Sequence, residues 1–192
     1  MSMVVAMPVN YVEPPRHEVL DGRIVSMSPR PAPDHSRISG NIYLIFRDYL
    51  QGRVCEAFWK VDVHLGRDIV IPDMAIVCDQ NKIKDDGIHG APDLIVEVLS
   101  PTTYRRDKGY KMKLYERSGV KEYWLVSTDS RSVEIYVLSE NRYDLEATYN
   151  VVPDYLLDKL TDEQRAEVIY SFPSPTFPDM EISLADLFEN IK

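Results

Sequence analysis

The sequence predicts a domain of the mixed α/β class (α+β, built on a mixed sheet) rather than a regular βαβ array. Three observations predict it. Two apolar, strand-like runs stand close together at 69–78 and 93–99. Helical periodicity flanks them at 35–51 and 104–118. A strand-only stretch then follows the second helix, without another crossover.

Taken in order, residues 18–28 read as a hairpin, Glu18-Val19-Leu20 and Arg23 to Met27 around the turn Asp21-Gly22. Asp-Gly between two short apolar runs is a strong turn signal. Pro29 to Asp34 is a Pro-rich loop, with Asp34 or Ser36 as the expected cap of the next helix. Ile38, Ile42, Ile45, Phe46 and Tyr49 recur at i, i+4, i+7, i+8 and i+11, giving an amphipathic helix over 35–51. Strands are expected at 54–65 and 69–78, joined at Gly66-Arg67-Asp68, followed by a polar loop from Asp79 to Gly90. The strand 93–99 ends at Pro101, and a helix of 104–118 closes at Gly119 as its C-cap. Strands at 122–127, 132–138 and 142–149 complete the core. The remainder is expected to hold a short helix from Asp162 to Tyr170, a Pro-punctuated loop and a turn of helix near Leu184 to Phe188. The whole chain, 1–192, is read as one domain, with a core at 18–149 and an acidic C-terminal extension, 150–192, packing on it.

The composition, 44% hydrophobic and 28% charged, is that of a soluble globular protein. No apolar run reaches the ~18 residues that cross a bilayer. The start, Met1 to Val12, lacks a basic n-region and a cleavage site, so no signal peptide is expected. Cys55 and Cys78 sit in apolar runs and read as reduced, buried and intracellular. Together these features predict a cytoplasmic protein with no membrane partner. A net charge of −9 argues against a nucleic-acid partner, but its distribution does not. Residues 144–192 hold 11 acids and 3 bases, whereas 1–143 hold 20 and 19. Within 100–123, seven bases (Arg105, Arg106, Lys108, Lys111, Lys113, Arg117, Lys121) face three acids, either a local basic patch or a solvated helix face.

The chemistry lies in the two apolar runs. Asp73 follows Pro72 in Asp68 to Val77, and Glu97 stands inside Leu94 to Leu99. A carboxylate amid apolar neighbours is costly to bury unless it is paired or holds a cation. On neighbouring strands, Asp73 and Glu97 would meet at one sheet edge. With the Val98 carbonyl they would suit Mg²⁺, or Mn²⁺ in its place, because such ions prefer hard oxygen ligands. That arrangement points to metal-dependent phosphodiester chemistry. Two residues beyond Glu97 stands Leu99, so a lysine must come from elsewhere. Lys111, with Leu114 and Tyr115 at i+3 and i+4, has inward-looking neighbours, while Lys113 reads as solvated and Lys108 as a candidate backbone contact.

These motifs carry a resemblance. Glu18 to Gly22, Met27-Ser28-Pro29, His35, Pro72-Asp73, the run Gly90 to Pro101, Asp107, Lys111, Tyr115, Gly119 to Trp124 and the tail Phe177 to Phe188 resemble the Uma-type "putative restriction endonuclease" family of the PD-(D/E)XK nuclease superfamily. Tyr155 to Ser171 falls outside the match. The resemblance implies a restriction-endonuclease-like core, a central mixed sheet flanked by helices with hairpin and meander additions, and Mg²⁺-dependent hydrolysis of DNA. It places Asp73 and Glu97 as metal ligands and Lys111 as the relocated lysine of the motif. Glu18 becomes a third carboxylate, acting directly or through water, unless it is a surface residue of the hairpin. His35 matches a family position suited to a cap, a phosphate contact or a structural role. His17, His35, His64 and His89 show no metal-ligand spacing. Trp59, Trp124 and the twelve tyrosines read as core and interface rather than base-stacking platforms. The expectation is therefore a Mg²⁺-dependent endodeoxyribonuclease, acting as a homodimer because two strands need two sites. The alternative is a catalytically silent module that binds nucleic acid or protein on the same fold.

Overall fold

The computed structural model describes residues 16–26 and 31–191. The N-terminal segment Met1 to Val12 and the match at Met27-Ser28-Pro29 lie outside them.

The hairpin forms as expected, with β1 (His17–Leu20) and β2 (Arg23–Ser26) joined by Asp21 and Gly22. Both turn residues have positive φ, 54° and 72°, the pattern of a two-residue primed turn whose twist matches the strands. Helix α1 (Pro33–Leu50) begins two residues before the expected start. Pro33 explains this, since its fixed φ and missing amide suit the first helical position. Neither Asp34 nor Ser36 caps the helix; the Asp34 carboxylate instead accepts from Arg37 at 2.6 Å.

The two long strands expected next each divide. The first becomes β3 (Glu56–Trp59) and β4 (Val63–Leu65), separated where Lys60 takes φ 52°. The second becomes β5 (Asp68–Val70) and β6 (Met74–Val77), broken around Pro72, which has no amide to give a ladder. The expected polar loop after Asp79 is structured too. It holds a 3₁₀ turn (Gln80–Lys82) and the strands β7 (Ile83–Lys84) and β8 (Gly87–His89), too short for periodicity to reveal. Gly87 has φ +137°, and a Cβ there would lie 2.4 Å from the Asp62 carbonyl oxygen, so only glycine fits without a shift.

β9 (Leu94–Leu99) leads into α2, residues 104–118, ending at Gly119 in the left-handed conformation, φ 87°, as expected. Inside α2, Asp107–Lys111 forms a π-helical turn. β10 (Glu122–Ser127), β11 (Ser132–Ser139) and β12 (Arg142–Asn150) form the meander. After α3 (Asp154–Leu157), α4 (Asp162–Ala166) is shorter than expected. The Pro-punctuated stretch is not a loop but the hairpin β13 (Ser171–Ser174) and β14 (Phe177–Ser183), followed by α5 (Leu184–Leu187).

The central sheet has the order β12-β11-β10-β9-β6-β3. β9 and β10 are parallel, joined through α2, and the remaining pairs are antiparallel, which makes the sheet mixed. The second sheet runs β2-β1-β5-β4-β8-β7. Strand alternation gives the central sheet two apolar faces. Met74, Ile76, Leu94, Val96, Val98 and Trp124 pack with Ile38, Ile42 and Phe46 of α1 and with Phe172, Leu184 and Leu187 of the C-terminal segment. Ala75, Val77, Ile95, Leu99, Tyr123 and Leu125 face the other way, onto Leu114 and Tyr115 of α2 and Val63, Val70 and Ile88 of the second sheet. Each fully buried large apolar side chain contributes about 1.5–3 kcal/mol, so both faces are needed to hold the sheet between its two covers.

The expected reduced cysteines are corrected. Cys55 and Cys78 form a disulfide. Antiparallel pairing of Glu56 with Val77 sets the next two positions, Cys55 and Cys78, opposite each other across β3 and β6. Among the described residues, no helix is long and apolar enough to cross a membrane.

Candidate active site

Pairing of β6 with β9 sets Met74 opposite Val96, so one step further along the ladder Asp73 stands opposite Glu97. Alternation gives both acids the face shared by Ala75, Ile95 and Leu99, the face that α2 covers. A cavity of about 370 Å³ opens there, lined by Glu18, His35, Lys60, Asp73, Glu97, Val98, Arg106, Asp107 and Lys111 among others. All five residues singled out in the sequence, Glu18, Asp73, Glu97, Val98 and Lys111, therefore meet at one place.

Lys111 is the hub. Its Nζ donates to Glu18 Oε1 at 2.7 Å and to Glu97 Oε1 at 2.9 Å, and lies 3.7 Å from Asp107 Oδ1. Burial pulls its ammonium pKa down, but the carboxylates of Glu97, Glu18 and Asp107 outweigh that and leave it above the ordinary lysine value. Lys111 is thus a fixed cation. The π turn is what aims it: Asp107 and Lys111 are both buried there, at the two ends of one widened turn.

Glu97 accepts from Lys111 and from the Tyr115 hydroxyl (2.7 Å), both at Oε1, which leaves Oε2 to the cavity. Burial pushes its carboxyl up to about 8; Lys111 opposes the shift, and Asp107, Asp73 and Glu18 add to it. Asp73 is held differently. The Val98 amide donates to its Oδ2 at 2.9 Å, His35 Nε2 lies 3.2 Å from the same oxygen, and Oδ1 lies 3.8 Å from Lys60 Nζ. Val98 thus acts on Asp73 through its amide.

Glu18 is not a surface residue. It is buried, accepting the Ile71 amide (3.1 Å) and Lys111 at Oε1 and Arg106 (3.1 Å) at Oε2. With three donors, its carboxylate is occupied in positioning Lys111 and Arg106. Asp107 was not singled out as a site residue in the sequence. It is 1% exposed, and its Oδ1 has no hydrogen-bond donor among the described residues. Burial raises its pKa, against Lys111 and a hydrogen bond from Thr103, and Asp73 and Glu18 raise it further. A signal existed, since an acid four residues before the key lysine shares its helix face. Lys60, by contrast, gave none; its place depends on the pairing of β3 with β6.

Four acids, Glu18, Asp73, Glu97 and Asp107, line the cavity together. Among the described residues, Asp73 Oδ1, Glu97 Oε2 and Asp107 Oδ1 accept none of the hydrogen bonds described above, and all are hard carboxylate oxygens, the set that suits Mg²⁺ or Mn²⁺. The residues present therefore fit a divalent ion.

Five of the seven bases in segment 100–123 are held in ion pairs, whereas Arg105 and Lys113 are exposed, Lys113 as expected. Arg106 pairs with Glu18, Lys108 with Glu134, Lys111 with three acids, Arg117 with Asp68 and Lys121 with Asp93. Trp124 is core. Trp59 is half exposed; its Nε1 donates to Ser39 Oγ at 2.8 Å, and its ring stacks near Tyr43.

A mixed sheet presenting two cross-strand acids, with a lysine from the following helix reaching between carboxylates, defines a protein of the restriction-endonuclease-like, nuclease-related class. The chain belongs to the Uma2 family, described as "putative restriction endonuclease", which it matches over residues 6–164. It is 33% identical over 125 residues, 63% of its length, to the uncharacterized protein slr1290 of Synechocystis sp., and spans 65% of that relative. It is also similar in fold, with a TM-score of 0.67 and 21% identity over 91% of this chain and 90% of the other, to a "putative nuclease belonging to DUF820" from Anabaena variabilis ATCC 29413.

Proposed function

We propose that the protein is a Mg²⁺-dependent endonuclease that hydrolyses phosphodiester bonds in DNA. The observation that carries this reading is the convergence of Asp73, Glu97 and Asp107 on one cavity beside the buried cation Lys111. Asp73 and Glu97 would hold the ion through the oxygens they leave to the cavity. A bound divalent cation supplies Lewis acidity toward a phosphate oxygen and lowers the pKa of a water. Lys111, fixed by Glu18 and Glu97, would offset the negative charge that grows on the phosphoryl oxygens as a water oxygen bonds to phosphorus and gives up its proton, while the ester P–O bond breaks and the leaving oxygen takes a proton from solvent. Arg106 and Lys60, at the cavity wall, orient the phosphodiester backbone. Two such sites, in a homodimer, would cut both strands.

One observation favours the silent-module reading. Lys111 already places a fixed positive charge between Glu18 and Glu97, so the fold has a cation without an ion. Nicking of supercoiled plasmid separates the two. Wild type with Mg²⁺ or Mn²⁺ is expected to nick, and Asp73→Asn, Glu97→Gln and Lys111→Met are expected not to. An inactive wild type on single- and double-stranded DNA that also binds no Mg²⁺ by calorimetry would overturn the nuclease reading.

A further inference from the structure

We propose that His64, Asp86 and His89 form a second cation site, for a transition-metal ion of the Zn²⁺ class, apart from the acidic cavity. The histidines show no ligand spacing along the sequence; the fold is what brings two of them together. The two histidines are 25 residues apart, but β4 and β8 run parallel with His64 directly beside His89. Their rings lie 4.3 Å apart, centroid to centroid, at 18°. Asp86, three residues before His89, places Oδ1 2.9 Å from His89 Nε2. One donor atom from each of the three side chains falls within 4.8 Å of the others.

A second observation points to a ligand. His64 Nε2 is buried and has no hydrogen-bond partner among the described residues. An imidazole nitrogen left that way costs about 1–3 kcal/mol, and ligation would recover it. The donor set decides the ion. Two imidazoles and one carboxylate suit Zn²⁺, Ni²⁺ or Cu²⁺, whereas the oxygen-only cavity suits Mg²⁺.

An ion must lie in the plane of each ring that binds it, so the stacked rings have to turn apart on binding. Solvent gives them room, since the His89 and Asp86 side chains are 45% and 68% exposed. The ion would replace the proton between His89 and Asp86, and water would complete the coordination. It would fasten β4 to β8, in the sheet whose order β1-β5-β4-β8 also carries Glu18 on β1. The site is therefore structural, a clamp on one of the two sheets that meet at the cavity.

The test is calorimetric titration of the full, tag-free chain with Zn²⁺ alone, supported by the visible spectrum of bound Co²⁺. Wild type and Asp73→Asn are expected to bind one equivalent with equal affinity. His64→Ala and His89→Ala are each expected to weaken binding about tenfold or more and to abolish the thermal stabilisation by Zn²⁺. His89 is exposed, so its variant carries the test if the His64 variant fails to fold. No binding by wild type, unchanged affinity in His89→Ala, or an equal loss in Asp73→Asn would overturn the proposal.

Discussion

Lys111 Nζ lies 2.9 Å from Glu97 Oε1, and both side chains are almost wholly buried. The contact joins the helix after the sheet to the middle of the sheet, across a point where no backbone bond connects them. It also sets the chemistry of the cavity, since three of its four acids lie within 4 Å of this one ammonium.

Removing that ammonium should cost stability before it costs activity. Lys111→Met removes the buried cation paired with Glu18 and facing Glu97 and Asp107, and removing one partner of a buried ion pair typically destabilises by about 3–5 kcal/mol. Urea unfolding of the variant without divalent ions measures it. A midpoint equal to that of wild type would mean that the pair contributes nothing.

The stability of the metal-free protein should depend on pH in a fixed direction. Folded Glu97 keeps its proton up to about 8, against an ordinary glutamate value of 4.5. Between those values the folded chain binds more protons than the unfolded chain, so stability falls as pH rises. The contribution is complete below 4.5 and gone once pH has passed through about 8. Asp107, also raised, acts in the same direction. Melting temperatures across this window should fall for wild type and fall less for Glu97→Gln; parallel curves would refute the assignment.

Divalent ions should stabilise the protein through the same acids. At a hundredfold excess over Kd, Mg²⁺ binding to the folded state adds about 2.7 kcal/mol. Differential scanning fluorimetry should show a rise in melting temperature for wild type and none for Asp73→Asn. An equal rise in both would place the ion elsewhere.

The Cys55–Cys78 bond closes a loop with a sequence separation of 23, and cross-linking a loop of that size restricts the unfolded chain by roughly 3 kcal/mol. Lys60 and Asp73 both lie within that loop, one step past the end of the β3–β6 ladder, where the Lys60 amide donates to the Asp73 carbonyl at 3.4 Å. The Cys55→Ser/Cys78→Ser variant should unfold at lower urea than the oxidised protein, and reducing agent should bring wild type down to match it. Identical curves would show the bond to be energetically idle.

The sequence by itself determined the parts of this protein whose signals are local. Asp21-Gly22 wrote a turn, Ile38, Ile42 and Phe46 a buried helix face and Gly119 a helix stop; Asp73 and Glu97 stood out because charge is costly in apolar company, and Lys111 because Leu114 and Tyr115 fall at i+3 and i+4. Two- and three-residue strands such as β7 and β8 carry too few side chains for a period, and the β13–β14 hairpin is masked by its prolines. Only the tertiary structure decided which distant residues became neighbours. Strand register brought Cys55 to Cys78 and His64 to His89, a π turn placed Asp107 beside Lys111, and Glu18 was drawn inside by three donors. Such pairings depend on how strands align across the sheet, and alignment is settled by the burial of both sheet faces together rather than by any residue's own neighbours in the chain.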